Sequence, residues 1–119
     1  MNIVSRTLGD VVVFKIAGAY TKETRLNPTL EELVKARLNS GERKFLFNLE
    51  EAEINSDVGV ADVLASYISI ANTGGQLKLV FGSPKTLLFF RVCGLDRILE
   101  IHNNVESALE SWDKQGPQA

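Results

Sequence analysis

Apolar and polar positions follow two rhythms along this chain, one of period two and one of period near 3.6. Residues 3–8 read as a short first strand that stops at Gly9-Asp10, a hairpin signal. Val11 to Ile16 is an unbroken β-branched and aromatic run, the pattern of a buried strand, closed by Gly18-Ala19-Tyr20. After a loop rich in Thr, Lys and Arg the rhythm changes. Asn27-Pro28 reads as an N-cap and first helical position, and Leu30, Leu33, Val34 and Leu38 recur at helical spacing. Glu31 and Glu32 precede Lys35 and Arg37, as the helix dipole favours, and Asn39-Ser40-Gly41 ends the helix with Gly41 as a left-handed cap.

Phe45 to Leu49 is apolar on both faces, which predicts a central strand. Residues 50–57 read as an acidic, polar connection. From about Asp57 to Thr73 the pattern is helical, with Val60, Val63, Leu64, Tyr67, Ile68 and Ala71 on one face and Gly74-Gly75 as the stop. Leu77 to Phe81 is the next strand. Ser83-Pro84 opens a short apolar helix that runs to Gly94, and Ile98 to Ile101 is a last short strand. Asn103 with Glu106 resembles a capping box for a final helix whose apolar face is Val105, Ala108, Leu109 and Trp112.

The order is therefore ββαβαβαβα. It predicts an α/β fold with a mixed β-sheet of about five strands covered by about four helices. No internal repeat, linker or low-complexity stretch divides the chain, so one domain is expected over residues 1–113. The polar stretch 114–119, with its Gly and Pro, reads as a flexible C-terminal tail.

Composition narrows the class without changing this picture. At 119 residues the chain buries roughly two-thirds of its unfolded surface, enough for a core without staples. Net charge is −2 and no basic stripe is visible, which argues against a nucleic-acid partner. No apolar run reaches the roughly 20 residues needed to span a bilayer, and the start lacks a signal-peptide pattern, so a cytoplasmic protein without membrane insertion is expected. The single cysteine, Cys93, has no disulfide partner, and its apolar neighbours predict an inert core thiol.

The search for chemistry returns little. His102 is the only histidine and reads as a surface or capping residue, since no Ser or Cys nucleophile context accompanies it. One His and one Cys do not make a conventional zinc site. Gly74-Gly75 follows a helix and precedes a strand, the reverse of a phosphate cradle, and reads as a C-cap. Glu50-Glu51-Ala52-Glu53 reads as a solvated acidic loop, and Phe89 and Phe90 lie in a run of which at least part is core. No catalytic residue, metal site or cofactor is expected.

The stretch Asn48-Leu49-Glu50-Glu51-Ala52-Glu53-Ile54-Asn55-Ser56-Asp57-Val58-Gly59 resembles the central segment of STAS domains, where a strand and loop lead into a helix N-terminus with the pattern D-S-S-G-L-G. The spacing continues through Gly74-Gly75, Ser83-Pro84, Cys93-Gly94-Leu95-Asp96 and Asn103 to Leu109, so the likeness covers nearly the whole chain. In the bacterial anti-sigma factor antagonists of that family, the serine at the helix N-terminus is phosphorylated by a kinase that is also the anti-sigma factor. The resemblance implies a non-enzymatic regulatory binding module. Its implied partner is an anti-sigma factor with a histidine-kinase-like ATPase domain, or another signalling protein, and a homodimer is left open.

Aligned without a gap, Ser56 stands where the family usually has Asp, Asp57 falls on the phosphorylated serine and Val58 on the second serine. Two readings follow from the resemblance. Either Asp57 supplies a permanent partial imitation of the phosphate charge, or Ser56 is the acceptor after a one-residue slip. Asp is also a preferred N-cap in its own right; Ser56 would serve almost as well, but the ungapped spacing favours Asp57 there. The implied contact surface comprises Ser56, Asp57, Val58, Gly59, Val60 and Asp62. Asp62, about one turn beyond Val58, is expected to face solvent. The resemblance also admits another class, a structural subunit of a signalling scaffold or of a membrane lipid transporter. An enzyme or ligand carrier would need a polar-lined pocket that the sequence does not announce.

Overall fold

The computed structural model describes residues 1–115, with side chains through Trp112. Strands β1 (Asn2–Leu8) and β2 (Val11–Tyr20) form a hairpin, followed by α1 (Leu30–Asn39), β3 (Lys44–Ile54), α2 (Asp57–Asn72), β4 (Gln76–Phe81), α3 (Pro84–Val92), β5 (Glu100–His102) and α4 (Val105–Gln115). A 3-10 turn, Leu95–Arg97, stands between α3 and β5. The five strands lie in the order β1-β2-β3-β4-β5, antiparallel at the hairpin and parallel thereafter. This is the expected mixed sheet with β3 at its centre, where residues apolar on both faces belong.

The pleat sends alternate side chains to two cores. One face carries Val12, Phe14 and Ile16 from β2 with Phe45, Phe47 and Leu49 from β3, and these pack against α1, α2 and α3 through Val34, Val63, Ile70 and Phe90. The Phe14 ring meets Phe47 edge-on at 5.9 Å and stacks on Phe45 at 6.4 Å. The other face carries Val11, Val13, Leu46 and Val80 under Ala108 and Trp112 of α4. Among the described residues no helix is long and apolar enough to cross a membrane.

Several boundaries differ from the sequence expectation. β3 runs on through the acidic segment to Ile54. Glu51 and Glu53 are exposed while Ala52 and Ile54 are buried, so the segment is an alternating strand. It is held by parallel pairing to a β2 that likewise extends to Tyr20. α1 is capped by Thr29 in place of Asn27: its hydroxyl accepts from Glu32 N, and the Glu32 carboxylate accepts from Thr29 N, a capping box that Asn27 could not complete because the residue three places on is Leu30. Gly41 is left-handed as expected, at φ 96°.

The buried stripe of α2 passes through Val60, Val63, Ser66 and Ile70, leaving Ile68 and Ala71 outside. The buried Ser66 hydroxyl satisfies itself within the helix by donating to the Asp62 carbonyl one turn back. β5 begins at Glu100, and Ile98 is exposed because the 3-10 turn intervenes. Asn104, not Asn103, accepts the first-turn N–H of Ser107 in α4. α4 continues through Lys114 and Gln115, both good helix formers, so these two leave the expected tail. Residues 116–119 lie outside the described residues.

Candidate functional site

The N-termini of α1, α2 and α3 all follow strands that end at the same edge of the parallel sheet, so first-turn N–H groups gather there. At its middle, Asn55 and Ser56 alone connect β3 to α2. Ser56 is extended (φ −135°, ψ 151°) and is the N-cap: its Oγ accepts from Gly59 N at 3.2 Å. It also donates to the Tyr20 carbonyl at 3.1 Å. The expected cap at Asp57 is thereby corrected. The Tyr20 carbonyl needs a donor, and a hydroxyl can give and accept where an ionised carboxylate only accepts. Asp57 stands in the first turn of α2, exposed to solvent and beside the positive end of the helix dipole.

Tyr20 organises what lies beneath. A Cβ on Gly59 would sit 2.7 Å from Ile54 Cγ2 and 3.1 Å from Tyr20 Cγ, so only glycine lets the first turn of α2 close over these side chains. The Tyr20 hydroxyl donates to Asp62 Oδ2 at 2.8 Å, and Asp62 Oδ1 accepts from Glu31 N at 3.3 Å. Asp62 is therefore not the solvent-facing residue expected. It is half-buried and ties β2, α1 and α2 together, serving an N–H that the α1 helix leaves unpaired. Burial raises the Tyr20 pKa well above the usual tyrosine value, and the Asp62 hydrogen bond and charge add to it. On the other flank, Ile54 N donates to the Thr86 Oγ1 at 3.0 Å, from a Thr86 that is buried in the first turn of α3.

Of the six implied contact residues, Asp57 and Val58 face solvent, with Val58 45% exposed. Ser56 and Asp62 are half-buried. Gly59 and Val60 point inward. Sequence reasoning missed Tyr20 and Thr86. By sequence Tyr20 marks only the end of its strand, and nothing local to Thr86 signals a partner 32 residues away.

The remaining candidates separate. Among the described residues no cluster of His, Cys, Asp and Glu could hold a metal ion, and Glu51 is paired with Lys15 at 2.9 Å. Cys93 is exposed, against expectation, because α3 ends at Val92 and Gly94, at φ 76°, turns the chain away from the core. Phe90 alone of that run is fully buried.

His102 joins a network on the α4 face: its Nε2 lies 2.6 Å from Glu100 Oε2, which also receives the Lys78 ammonium at 2.7 Å. Lys78 is fully buried, with its Nζ 4.5 Å from the Trp112 ring centroid and donating to Ser111. Burial works to raise the Glu100 carboxyl, and the hydrogen bonds and charges of Lys78 and His102 overcome it and hold it below the ordinary glutamate value.

No family model matches the sequence, and no curated protein matches it. Solved structures do. An anti-sigma factor antagonist from Mycobacterium paratuberculosis has a TM-score of 0.79 over 92% of this chain and 92% of its own, at 21% identity. The phosphorylated form of the Bacillus cell fate determinant SpoIIAA has a TM-score of 0.70 over 92% of this chain and 98% of its own, at 17% identity. The anti-sigma factor antagonist SpoIIAA in its unphosphorylated form has a TM-score of 0.69 over 95% and 97%, at 18% identity. The chain has the STAS fold, shared with these anti-sigma factor antagonists.

Proposed function

We propose that this domain is a non-enzymatic regulatory module of the anti-sigma factor antagonist type. It presents the N-terminal end of α2 to an anti-sigma factor with a histidine-kinase-like ATPase domain, with Asp57 as a fixed charge where an acceptor serine would stand. The observation that carries the reading is the contrast between neighbours: the Ser56 hydroxyl is engaged on both sides, by Gly59 N and the Tyr20 carbonyl, while Asp57 and Val58 are exposed side by side. Phosphate on Ser56 would remove the proton that Ser56 donates to the Tyr20 carbonyl and set a dianion against that carbonyl oxygen. An aspartate at the first turn keeps the helix favourable and holds about half the charge of a phosphate. Val58 offers the apolar contact a partner would cover.

The test uses purified anti-sigma factors with histidine-kinase-like ATPase domains, titrated calorimetrically and then incubated with ATP. Binding that is lost in Val58→Asp, no phosphate on the native chain, and phosphate gained at position 57 in Asp57→Ser are the expected results. Phosphate on Ser56 of the native chain would overturn the fixed-charge reading. Association instead with a transporter ATPase or a scaffold, and with no anti-sigma factor, would replace the regulatory reading by the structural one.

A further inference from the structure

α4 covers only part of its face of the sheet. Its contacts run over Val11, Val13, Leu46 and Val80. Toward the β1 edge the same face carries Val4, Arg6, Lys15 and Asn48, which together with Val13 line a cavity of about 300 Å³, within the size range of small-ligand sites. Strand register fixes the arrangement. Val4 stands opposite Lys15, Arg6 opposite Val13, and Lys15 beside Asn48. Directly paired residues share a face. Two cations from β1 and β2 and an amide from β3 thus surround a floor made by Val4 and Val13.

The donors are in surplus. Asn48 Oδ1 accepts from Glu50 N at 3.0 Å, which orients the amide and leaves its NH2 to donate. The Lys15 ammonium is 2.9 Å from Glu51, and an ammonium has three donors. Among the described residues no carboxylate lies within 4.0 Å of the Arg6 guanidinium. The cavity therefore joins one paired cation, one cation with no such partner, and an oriented amide above apolar carbon, within a chain whose net charge is −2.

We propose that this cavity is a binding site for a small organic oxyanion. A phosphate or carboxylate headgroup is received by Arg6, Lys15 and the Asn48 amide, and a compact apolar body lies over Val4, the exposed apolar side chain of the cavity. The planar guanidinium supplies a bidentate fork to the headgroup, and Val4, half-exposed without a ligand, is covered by its body. Glu51 competes for Lys15, so its carboxylate weakens the site and Arg6 carries most of the recognition. The site is on the sheet face opposite α1, α2 and α3 and does not depend on the partner reading of the α2 end.

The experiment is an amide chemical-shift titration of the intact chain with phenyl phosphate, benzoate, inorganic phosphate and benzyl alcohol. The expected result is saturable movement of Val4, Arg6, Lys15 and Asn48 with the two aromatic anions, weaker movement with inorganic phosphate and none with the alcohol. Arg6→Gln is expected to weaken phenyl phosphate about tenfold, Lys15→Gln less, and Glu51→Gln is expected to tighten it severalfold. All three side chains are exposed, so each variant is expected to melt as the native chain does, and the melt is recorded alongside. Absence of saturable shifts with either aromatic anion overturns the site. Equal response to phenyl phosphate and inorganic phosphate overturns the apolar half of the proposal, and undiminished binding in Arg6→Gln overturns the assignment of the headgroup.

Discussion

The two faces of the sheet are built on different physics. The face under α1, α2 and α3 is dry and aromatic, with Phe14, Phe45 and Phe47 interlocked and fully covered. The face under α4 is narrower. It buries an ammonium, Lys78, which is satisfied by Glu100, Ser111 and the Trp112 ring, and then opens into a cavity toward β1. The difference lies in how closely each face is packed. The α2 end stands on the dry face and inherits its fixed geometry, down to a glycine that admits no Cβ. The α4 face is held by one helix and a half-exposed carboxylate, so it tolerates change.

The sharpest way to break this comparison is one core substitution on each face. Phe47→Ala is expected to cost about 3–5 kcal/mol in chemical denaturation, the range for a buried aromatic. Lys78→Met keeps the volume, removes the buried charge and leaves Glu100 half in water beside His102. It is expected to cost under about 1 kcal/mol or to stabilise. Equal losses from the two would erase the distinction between the faces. Next in size, Gly59→Ala is expected to cost about 1–3 kcal/mol by overpacking against Ile54 and Tyr20. Its far-UV spectrum is expected to stay native while its melting temperature falls.

A smaller effect carries a pH signature. Tyr20→Phe removes the donor to Asp62 and is expected to cost about 1–2 kcal/mol at neutral pH. Folding raises the pKa of Tyr20, so its contribution is fully present below the ordinary tyrosine value of about 10 and drains as pH rises above it. Denaturation midpoints of the native chain are therefore expected to fall more steeply than those of Tyr20→Phe on the alkaline side. Parallel curves would contradict the junction described for Tyr20 and Asp62. Smallest of all, Ser56→Ala is expected to cost about 1 kcal/mol as a lost N-cap, whereas Asp57→Ala is expected to stay within a few tenths to 1 kcal/mol. The reverse ranking would return the cap to Asp57.

Much of the fold was legible because burial is periodic. Val11 to Ile16, Phe45 to Leu49 and Leu77 to Phe81 announce strands, and Ser83-Pro84 and Gly74-Gly75 act where they stand as helix start and stop. The extension of β3 was hidden because Glu50, Glu51 and Glu53 mark polarity, while only pairing with β2 turns that polarity into the outward half of a strand. The candidate site was legible as a place, the start of α2, but not as an arrangement. Asp62 looked like a surface residue because its partners, Tyr20 and Glu31, lie 42 and 31 residues away. Lys78 sits in a strand whose apolar neighbours signal burial, yet Glu100, Ser111 and Trp112 make that burial tolerable from other elements.

The sequence by itself determined the succession of strands and helices, and with it the class of fold, since side-chain periodicity and turn chemistry act over a few residues. Only the tertiary structure decided which of two adjacent polar residues caps α2. The Tyr20 carbonyl, brought alongside by parallel pairing of β2 and β3, requires a proton donor, which Ser56 has and an ionised Asp57 lacks. The same long-range assembly decided that the second sheet face is left partly open, because a single helix over five strands cannot cover them all.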